Sequence, residues 1–347
     1  MRIAVTGASG HIGINLIPEL IIAGHDVRIL SHRNEKILEE FTVPVINGDL
    51  LDPFSLNEFI YGAEIIIHLG AVVTIHKKSP EALKVNIEGT RNLLSAGKKA
   101  GVKKFIFFSS IHSLQAFPLD DVLDESRPYN TGSPFDYDRS KVAGEQMVLE
   151  AREDNFETII LNPTSVVGPR DYRPSLMGRA IIQLYRGSIP ALLRGGFNWV
   201  DVRDVVKATL AAVSRKMSEN KFLIAGNWHS MTELGEVVAA SGGKPCPKML
   251  IPFWLAYFGA GAMSLMPWIR KEEQLFTTAS LHTLQYAHKN ISSAKAGEFL
   301  DFHPRPLKKQ SQIQFSFSNK SNTCNKWKSG YFTVLFISGS RWRQWYF

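Results

Sequence analysis

Val5-Thr6-Gly7-Ala8-Ser9-Gly10-His11-Ile12-Gly13 overlaps the end of the apolar run Ile3-Ala4-Val5 and leads straight into the helix-like run Ile12 to Ala23. A strand, a glycine turn and a helix follow one another without a gap. Gly7 supplies the backbone angles of a tight turn, Gly10 lets the chain approach a pyrophosphate, and Gly13 lets the helix pack closely on its strand. The helix N-terminus presents free N–H groups to phosphate, which makes Ser9, His11 and Ile12 cofactor-contact candidates beside the three glycines. A glycine triplet alone marks a turn; the strand before it and the helix after it make this one a dinucleotide-binding loop.

The charge of the chain is unevenly placed. Of 347 residues, the last 46 hold eight Lys and Arg and no acid, which leaves 32 basic against 32 acidic residues over 1–301. The body is neutral, so the net charge of +8 does not predict a nucleic-acid partner. Cys246 and Cys324 are too few and too isolated for a disulfide framework or a zinc site. With no leader ahead of the first strand, this predicts a reducing, cytoplasmic setting and no metal. Met249 to Ile269 carries no charge over 21 residues, yet Pro252, Gly259, Gly261 and Pro267 interrupt it. A buried or interfacial helix under a substrate pocket is expected there, and membrane association through 249–269 is the lesser reading.

The strands that follow define the rest of the cofactor site. His25 to Leu30 reads as a second strand, and its exit is Ser31-His32-Arg33. An acid at this corner would hold a ribose 2′-hydroxyl, whereas a hydroxyl and a guanidinium suit a 2′-phosphate. NADP is therefore expected over NAD, with Glu35 tempering the preference. Val43 to Gly48 is a third strand, whose exit Asp49-Leu50 could bracket an adenine; alternatively Asp49 caps the helix starting near Asp52-Pro53. Ile65 to Ala71 is a fourth strand ending in Leu69-Gly70-Ala71, small enough to let a flat cofactor lie on the backbone. Pro80 to Lys99 is a crossover helix with Leu83, Ile87, Leu93 and Leu94 on its core stripe. Asn86 within it either bonds across to a neighbouring strand or stays solvated. Lys103 to Phe108 is a fifth strand that delivers Ser109-Ser110 to the edge where open α/β sheets bind ligands. Ile111 to Pro134 reads as a loop over that edge.

Tyr137-Asp138-Arg139-Ser140-Lys141 opens a helix reaching to about Glu153. Residues four apart share a helix face, so the hydroxyl and the ammonium point the same way. A free tyrosine titrates near ~10, and an adjacent cation is expected to lower it towards neutral pH. Tyr137 then passes a proton to or from a carbonyl oxygen that Ser110 holds by a hydrogen bond. A Tyr and Lys pair at this spacing is common by chance; 27 residues after a strand-end serine, and downstream of a glycine loop, it becomes a catalytic set.

These motifs resemble the extended short-chain dehydrogenase/reductases, over residues 1–306. The glycine loop, Asp49-Leu50, the set Ser110, Tyr137 and Lys141, and Asn162-Pro163 after the sixth strand at 157–161 carry the resemblance. Gly195 to Asp204 and the basic corner at Arg33 are similar to the dihydroflavonol 4-reductase and 3β-hydroxysteroid dehydrogenase-like branch. The resemblance implies that Lys141 also holds the nicotinamide ribose and that Asn162, Pro163 and Thr164 approach the nicotinamide. It implies an α/β fold: a Rossmann-type doubly wound parallel sheet over 1–168, to which 197–225 returns, with a smaller C-terminal substrate-binding lobe over 169–306. The expected activity is NADP(H)-dependent interconversion of a ketone and a secondary alcohol on a small, partly apolar substrate. Nucleotide-sugar epimerases and dehydratases that retain NAD share most of these motifs, and a non-enzymatic NADP sensor is a third reading, against which the Tyr and Lys pair argues. Arg170, Tyr172 and Arg173 either meet an anionic substrate group or are solvated, and helices 80–99 and 137–153 are the family's usual homodimer surface. After Pro306 the resemblance expects an acid-rich helix. Residues 307–347 are basic and aromatic instead, and read as a foreign or disordered terminus.

Overall fold

The computed structural model of the chain describes residues 1–32, 36–264, 277–307, 313–314 and 335–336. Arg33, Glu35 and most of the tail lie outside them.

The first half alternates strand and helix: β1 (Arg2–Thr6), α1 (His11–Ile22), β2 (Asp26–Ser31), β3 (Val45–Asn47), α2 (Pro53–Ile60), β4 (Ile65–His68), α3 (Pro80–Lys99), β5 (Lys104–Phe108), α4 (Asp136–Glu150) and β6 (Glu157–Pro163). The second half is less regular. It contains β7 (Ser165–Val167), α5 (Leu176–Arg186), β8 (Leu192–Leu193), β9 (Gly196–Asp201), α6 (Val202–Ser214), β10 (Lys221–Ile224), β11 (Asn227–Ser230) and α7 (Met231–Ala240). It continues through β12 (Leu250–Ile251), α8 (Phe253–Ser264), α9 (Thr278–Gln285) and α10 (Ala294–Leu300) to a short pair, β13 (Ile313–Gln314) and β14 (Leu335–Phe336).

Seven parallel strands form one sheet in the order β10-β6-β5-β4-β1-β2-β3. Strands buried on both faces need side chains that are apolar at every position, which Ile65-Ile66-Ile67 and Phe105-Ile106-Phe107-Phe108 supply. Alternation divides them between two cores. Ile3, Val5, Ile106 and Phe108 meet α1, α6 and α10, while Ala4, Ile66, Phe105 and Phe107 meet α2, α3 and α4. This is the expected doubly wound Rossmann-type sheet.

Two features hold the sheet's C-terminal edge in shape. Gly7 sits at φ +70, where a Cβ would lie 2.6 Å from the Gly70 nitrogen; a Cβ on Gly13 would lie 2.5 Å from the Gly7 oxygen. The loop is glycine because backbone lies against backbone on both sides. Below it the Gly70 amide donates to Thr6 Oγ1, and His68 Nδ1 and Nε2 lie 2.7 and 3.1 Å from the Thr6 and Thr90 hydroxyls. The Thr90 hydroxyl gives its own proton to the Asn86 carbonyl at 2.6 Å. Thr90 therefore accepts from Nε2–H, and the neutral ring accepts from Thr6 at Nδ1. Burial keeps the imidazole uncharged, its pKa pushed down to about 3.

Several expectations need correction. On α3, Leu83 and Ile87 are only half-buried. The buried face runs through Ala82, Asn86, Gly89, Thr90, Leu93, Leu94, Ala96 and Gly97. A Cβ on Gly89 would approach Leu50 Cβ to 2.8 Å, so close approach selects small residues where an apolar stripe was expected. Asp52, not Asp49, caps α2, accepting from the Phe54 and Ser55 amides. β9 joins β7 and β11 in a separate three-stranded sheet, so the return to the large sheet starts at α6 rather than at residue 197. α10 belongs there too, through Ala296 and Leu300. Asn86 is buried: it accepts from the Val72 amide and donates to Ser140 Oγ, tying α3 to α4.

The described part of the apolar segment after Met249 is buried on one side only. Within α8, Ala256 and Ala260 face Leu193 and Leu281, while Trp254 and Phe258 are more than 70% exposed. Residues 265–269 lie outside the described residues. Among those described, no helix is long and apolar enough to cross a membrane.

Arg305 and Leu307 tie this part of the chain to the fold. Arg305 forms a forked pair with the buried Asp204 of α6, and Leu307 is buried in the second lobe's core. β13 and β14 pair with each other alone among the described strands. A chain ending at Leu307 is expected to melt within ~2 °C of the full chain, under about 1 kcal/mol for a domain of this size. A drop beyond ~5 °C by circular dichroism would contradict it.

Candidate active site

The first half of the site is the glycine loop. Gly10 caps α1 with no side-chain partner for the first-turn amides, and the loop lies so tightly against β4 that a side chain at Gly7 has no room. Free amides beside a cradle without Cβ atoms fit a dinucleotide pyrophosphate. His11 at the mouth is tied by Nε2 to the Pro169 carbonyl at 2.9 Å, as is Asn15 through its amide. Arg170, at φ 56, donates to the Ile14 carbonyl of α1. Gly168 to Arg170 thus folds over α1, with Arg170 tied to that helix.

The adenosine side lies at the exits of β2 and β3. Ser31 is buried, and exposed His32 stands 3.4 Å from Asp49. Asp49 Oδ1 also accepts from the Leu51 amide at 2.9 Å, which fixes the carboxylate in the turn. Leu50 packs between Gly70 and Gly89, so it backs this pocket. Arg33, on which the 2′-phosphate contact rests, lies outside the described residues.

The reacting end lies at the exits of β4, β5 and β6. β5 delivers Ser110, 8% exposed, and α4 places the Tyr137 side chain beside it, near enough for the hydroxyl of Ser110 to act on that of Tyr137. One turn on, Lys141 Nζ donates to the Phe108 carbonyl at 2.8 Å, with the Phe107 and Tyr137 ring centroids 5.0 and 5.9 Å away. Thus Ser110, Tyr137 and Lys141 converge on one edge. The expected electrostatics do not hold in full. Burial raises the Tyr137 hydroxyl well above its ordinary value, against the lowering pull of Ser110, and Asp138 adds to the rise. Lys141 is itself brought down to about 8 by burial, with the Glu145 charge acting in the opposite sense. The lysine is too desolvated to act on tyrosine as a simple surface cation would.

Ser109 and Asn162 take a different place from the one expected. Both point into a buried network around Glu145, which is wholly inaccessible to solvent. Its Oε1 accepts from Ser109 Oγ and Ser113 Oγ at 2.5 Å and from Asn162 Nδ2 at 2.6 Å; its Oε2 lies 2.7 Å from Lys221 Nζ. Asn162 also donates to the Ser110 carbonyl at 3.0 Å. Its side chain therefore holds the Ser110 turn from beneath. Pro163 pairs with Ile224, and Thr164 accepts from the Gly226 amide, so this exit is stitched to β10. The loop over the edge is tied down as well, because Glu125 accepts from the Leu223 amide at 2.8 Å. Glu145 had a sequence signal, since it continues the Tyr137, Lys141 face by one turn. Lys221, on the far edge strand, had none.

Comparison with known proteins agrees with this fold. Residues 3–225 match the model of the NAD dependent epimerase/dehydratase family. The chain is 32% identical over 259 residues to "Sterol demethylase protein B" of Methylococcus capsulatus, covering 73% of this chain and 78% of that one. It is 30% identical to a 3-beta-hydroxysteroid dehydrogenase of Mycolicibacterium neoaurum, covering 87% of each. A putative dihydroflavonol 4-reductase of Synechocystis is 30% identical over 72% of this chain and 75% of its own. Among solved structures, gox2253 superposes with a TM-score of 0.75 at 30% identity, covering 90% of this chain and 95% of that one. MoeE5 with UDP-glucuronic acid and NAD shares the fold at a TM-score of 0.67, 22% identity and coverage of 90% and 96%. With its glycine loop and its Ser110, Tyr137 and Lys141 set on one sheet edge, the chain belongs to the NAD-dependent epimerase/dehydratase family of extended short-chain dehydrogenase/reductases and is an NAD(P)-dependent enzyme.

Proposed function

We propose that the protein interconverts a ketone and a secondary alcohol on a partly apolar substrate, using NADP(H). The observation that carries this reading is the meeting of Ser110 with Tyr137 at the exit of β5, beside the buried Lys141. A nicotinamide bound along this edge supplies or accepts the hydride. Ser110 donates a hydrogen bond to the substrate oxygen and sets its angle. Tyr137 gives its proton to that oxygen in reduction and takes it back in oxidation. Lys141, protonated below about 8, holds the nicotinamide ribose and stabilises negative charge on Tyr137 as its proton leaves. Relatives named as sterol, steroid and flavonol enzymes support a ring-bearing, partly apolar substrate.

The NADP preference rests on Ser31, His32 and Arg33, with no acid among the three. Titration of tryptophan-to-nicotinamide energy transfer is expected to show NADPH bound at least tenfold more tightly than NADH, about 1.4 kcal/mol. Equal affinities, or NAD that stays bound through purification, would instead favour an epimerase that regenerates its cofactor in each turnover. Tyr137→Phe removes the proton donor and is expected to lower turnover by ~10²–10⁴ while leaving cofactor affinity within a few-fold. Turnover near the wild-type rate in that variant would remove Tyr137 from the chemistry.

A further inference from the structure

We propose that Glu145 and Lys221 form a buried charge-setting pair for Lys141: the carboxylate holds the lysine in its charged form, and Lys221 limits how strongly it does so. The proposal rests on Lys141 as a cofactor contact, and it adds two positioning residues, neither of which touches cofactor or substrate.

The geometry is that of one carboxylate between two cations. Lys141 is 4% exposed and stands one helical turn before Glu145, on the same face of α4. Lys221 reaches the same carboxylate from β10, at 2.7 Å from Oε2, and is itself 8% exposed. Its Nζ also lies 4.5 Å from the Tyr129 ring centroid. In so dry a site charges act on one another with little screening.

The other groups facing the pair carry no charge. Lys141 meets the Phe107 ring and Phe108 carbonyl of β5, Tyr137 of its own helix, and His68 of β4, which burial keeps neutral. Glu145 meets Ser109, Ser113 and Asn162 as neutral donors, and Tyr129, whose hydroxyl is pushed above its ordinary value by burial and by the Glu145 charge. The three neutral donors reach the carboxylate independently of Lys221.

Two substitutions therefore act in opposite directions on one titration. Removing the carboxylate takes away the charge that favours Lys141 ammonium; removing Lys221 takes away a competing cation and leaves the carboxylate to Lys141. A purely structural pair, whose loss only loosens the packing, has no reason to produce opposite signs.

The test is binding of NADH to the full chain between pH 6 and 10, read by tryptophan-to-nicotinamide energy transfer. NADH is the probe because it lacks a 2′-phosphate that titrates in this range. Wild-type affinity is expected to fall at alkaline pH with a midpoint near 8. Glu145→Gln is expected to lower that midpoint by ~1 unit, Lys221→Met to raise it by ~0.5–1 unit, and Lys221→Arg to leave it near wild type. Midpoints that move in the same direction, or do not move, overturn the proposal, as does a wild type that binds no NADH. Should Glu145→Gln fail to fold, the contrast between Lys221→Met and Lys221→Arg decides by itself. Intact NADH titrations with no net reduction of any ketone would contradict the proposed reaction and leave this pair standing.

Discussion

The carboxylate of Glu145 is the constraint on which the reacting end of the molecule depends. It lies at the crossing of four segments: the turn after β5, α4, β6 and β10. A carboxylate removed from water is costly by several kcal/mol unless its lone pairs are met. Here three neutral donors meet Oε1, and the Lys221 ammonium stands as counter-charge 2.7 Å from Oε2. Hydrogen bonds to a charged group contribute about 1.5–3 kcal/mol each, so together they offset the burial and make the arrangement unique. Any of those segments that shifted would leave a buried charge short of a donor. Ser110 sits inside this clamp, its carbonyl held by Asn162 and its neighbours Ser109 and Ser113 held by Glu145.

The cofactor end is fixed by a different kind of physics. There the requirement is closeness: Gly7 against Gly70, Gly13 against Gly7, Gly89 against Leu50. The neutral His68 relay supports the same region with directed bonds between β1, β4 and α3. One half of the site is therefore shaped by the absence of side chains and the other by a buried ion, with three donors on Glu145 Oε1 and the Lys221 ammonium 2.7 Å from Oε2. The sheet joins them, since both lie at the C-terminal ends of its strands.

How much of this was legible in the sequence follows from how local each feature is. The glycine loop, the first six strands and the Tyr137 and Lys141 spacing are local patterns, and they appear where the periodicity places them. The buried face of α3 was misread because its close contacts are made by Ala, Gly and Thr, which no hydrophobic stripe reveals. Asn162 was expected to approach a cofactor and instead braces Ser110, because its partners Ser113 and Glu145 lie on other elements. The Tyr137 titration was misjudged for the same reason: spacing shows that a lysine is near, but burial of both groups is set by the whole fold. Lys221 is 76 positions beyond Glu145, and only the pairing of β10 with β6 brings it to the site.

The central claim is that this edge carries out net hydride transfer between nicotinamide and a ring-bearing ketone. The most direct measurement is to supply NADPH deuterated at the nicotinamide C4, with a panel of apolar cyclic ketones, and to analyse products by mass spectrometry. The account predicts one deuterium on the new carbinol carbon and one oxidised nicotinamide released per alcohol formed. Deuterium that stays on a tightly held cofactor, with no alcohol formed from any ketone of the panel, would contradict it.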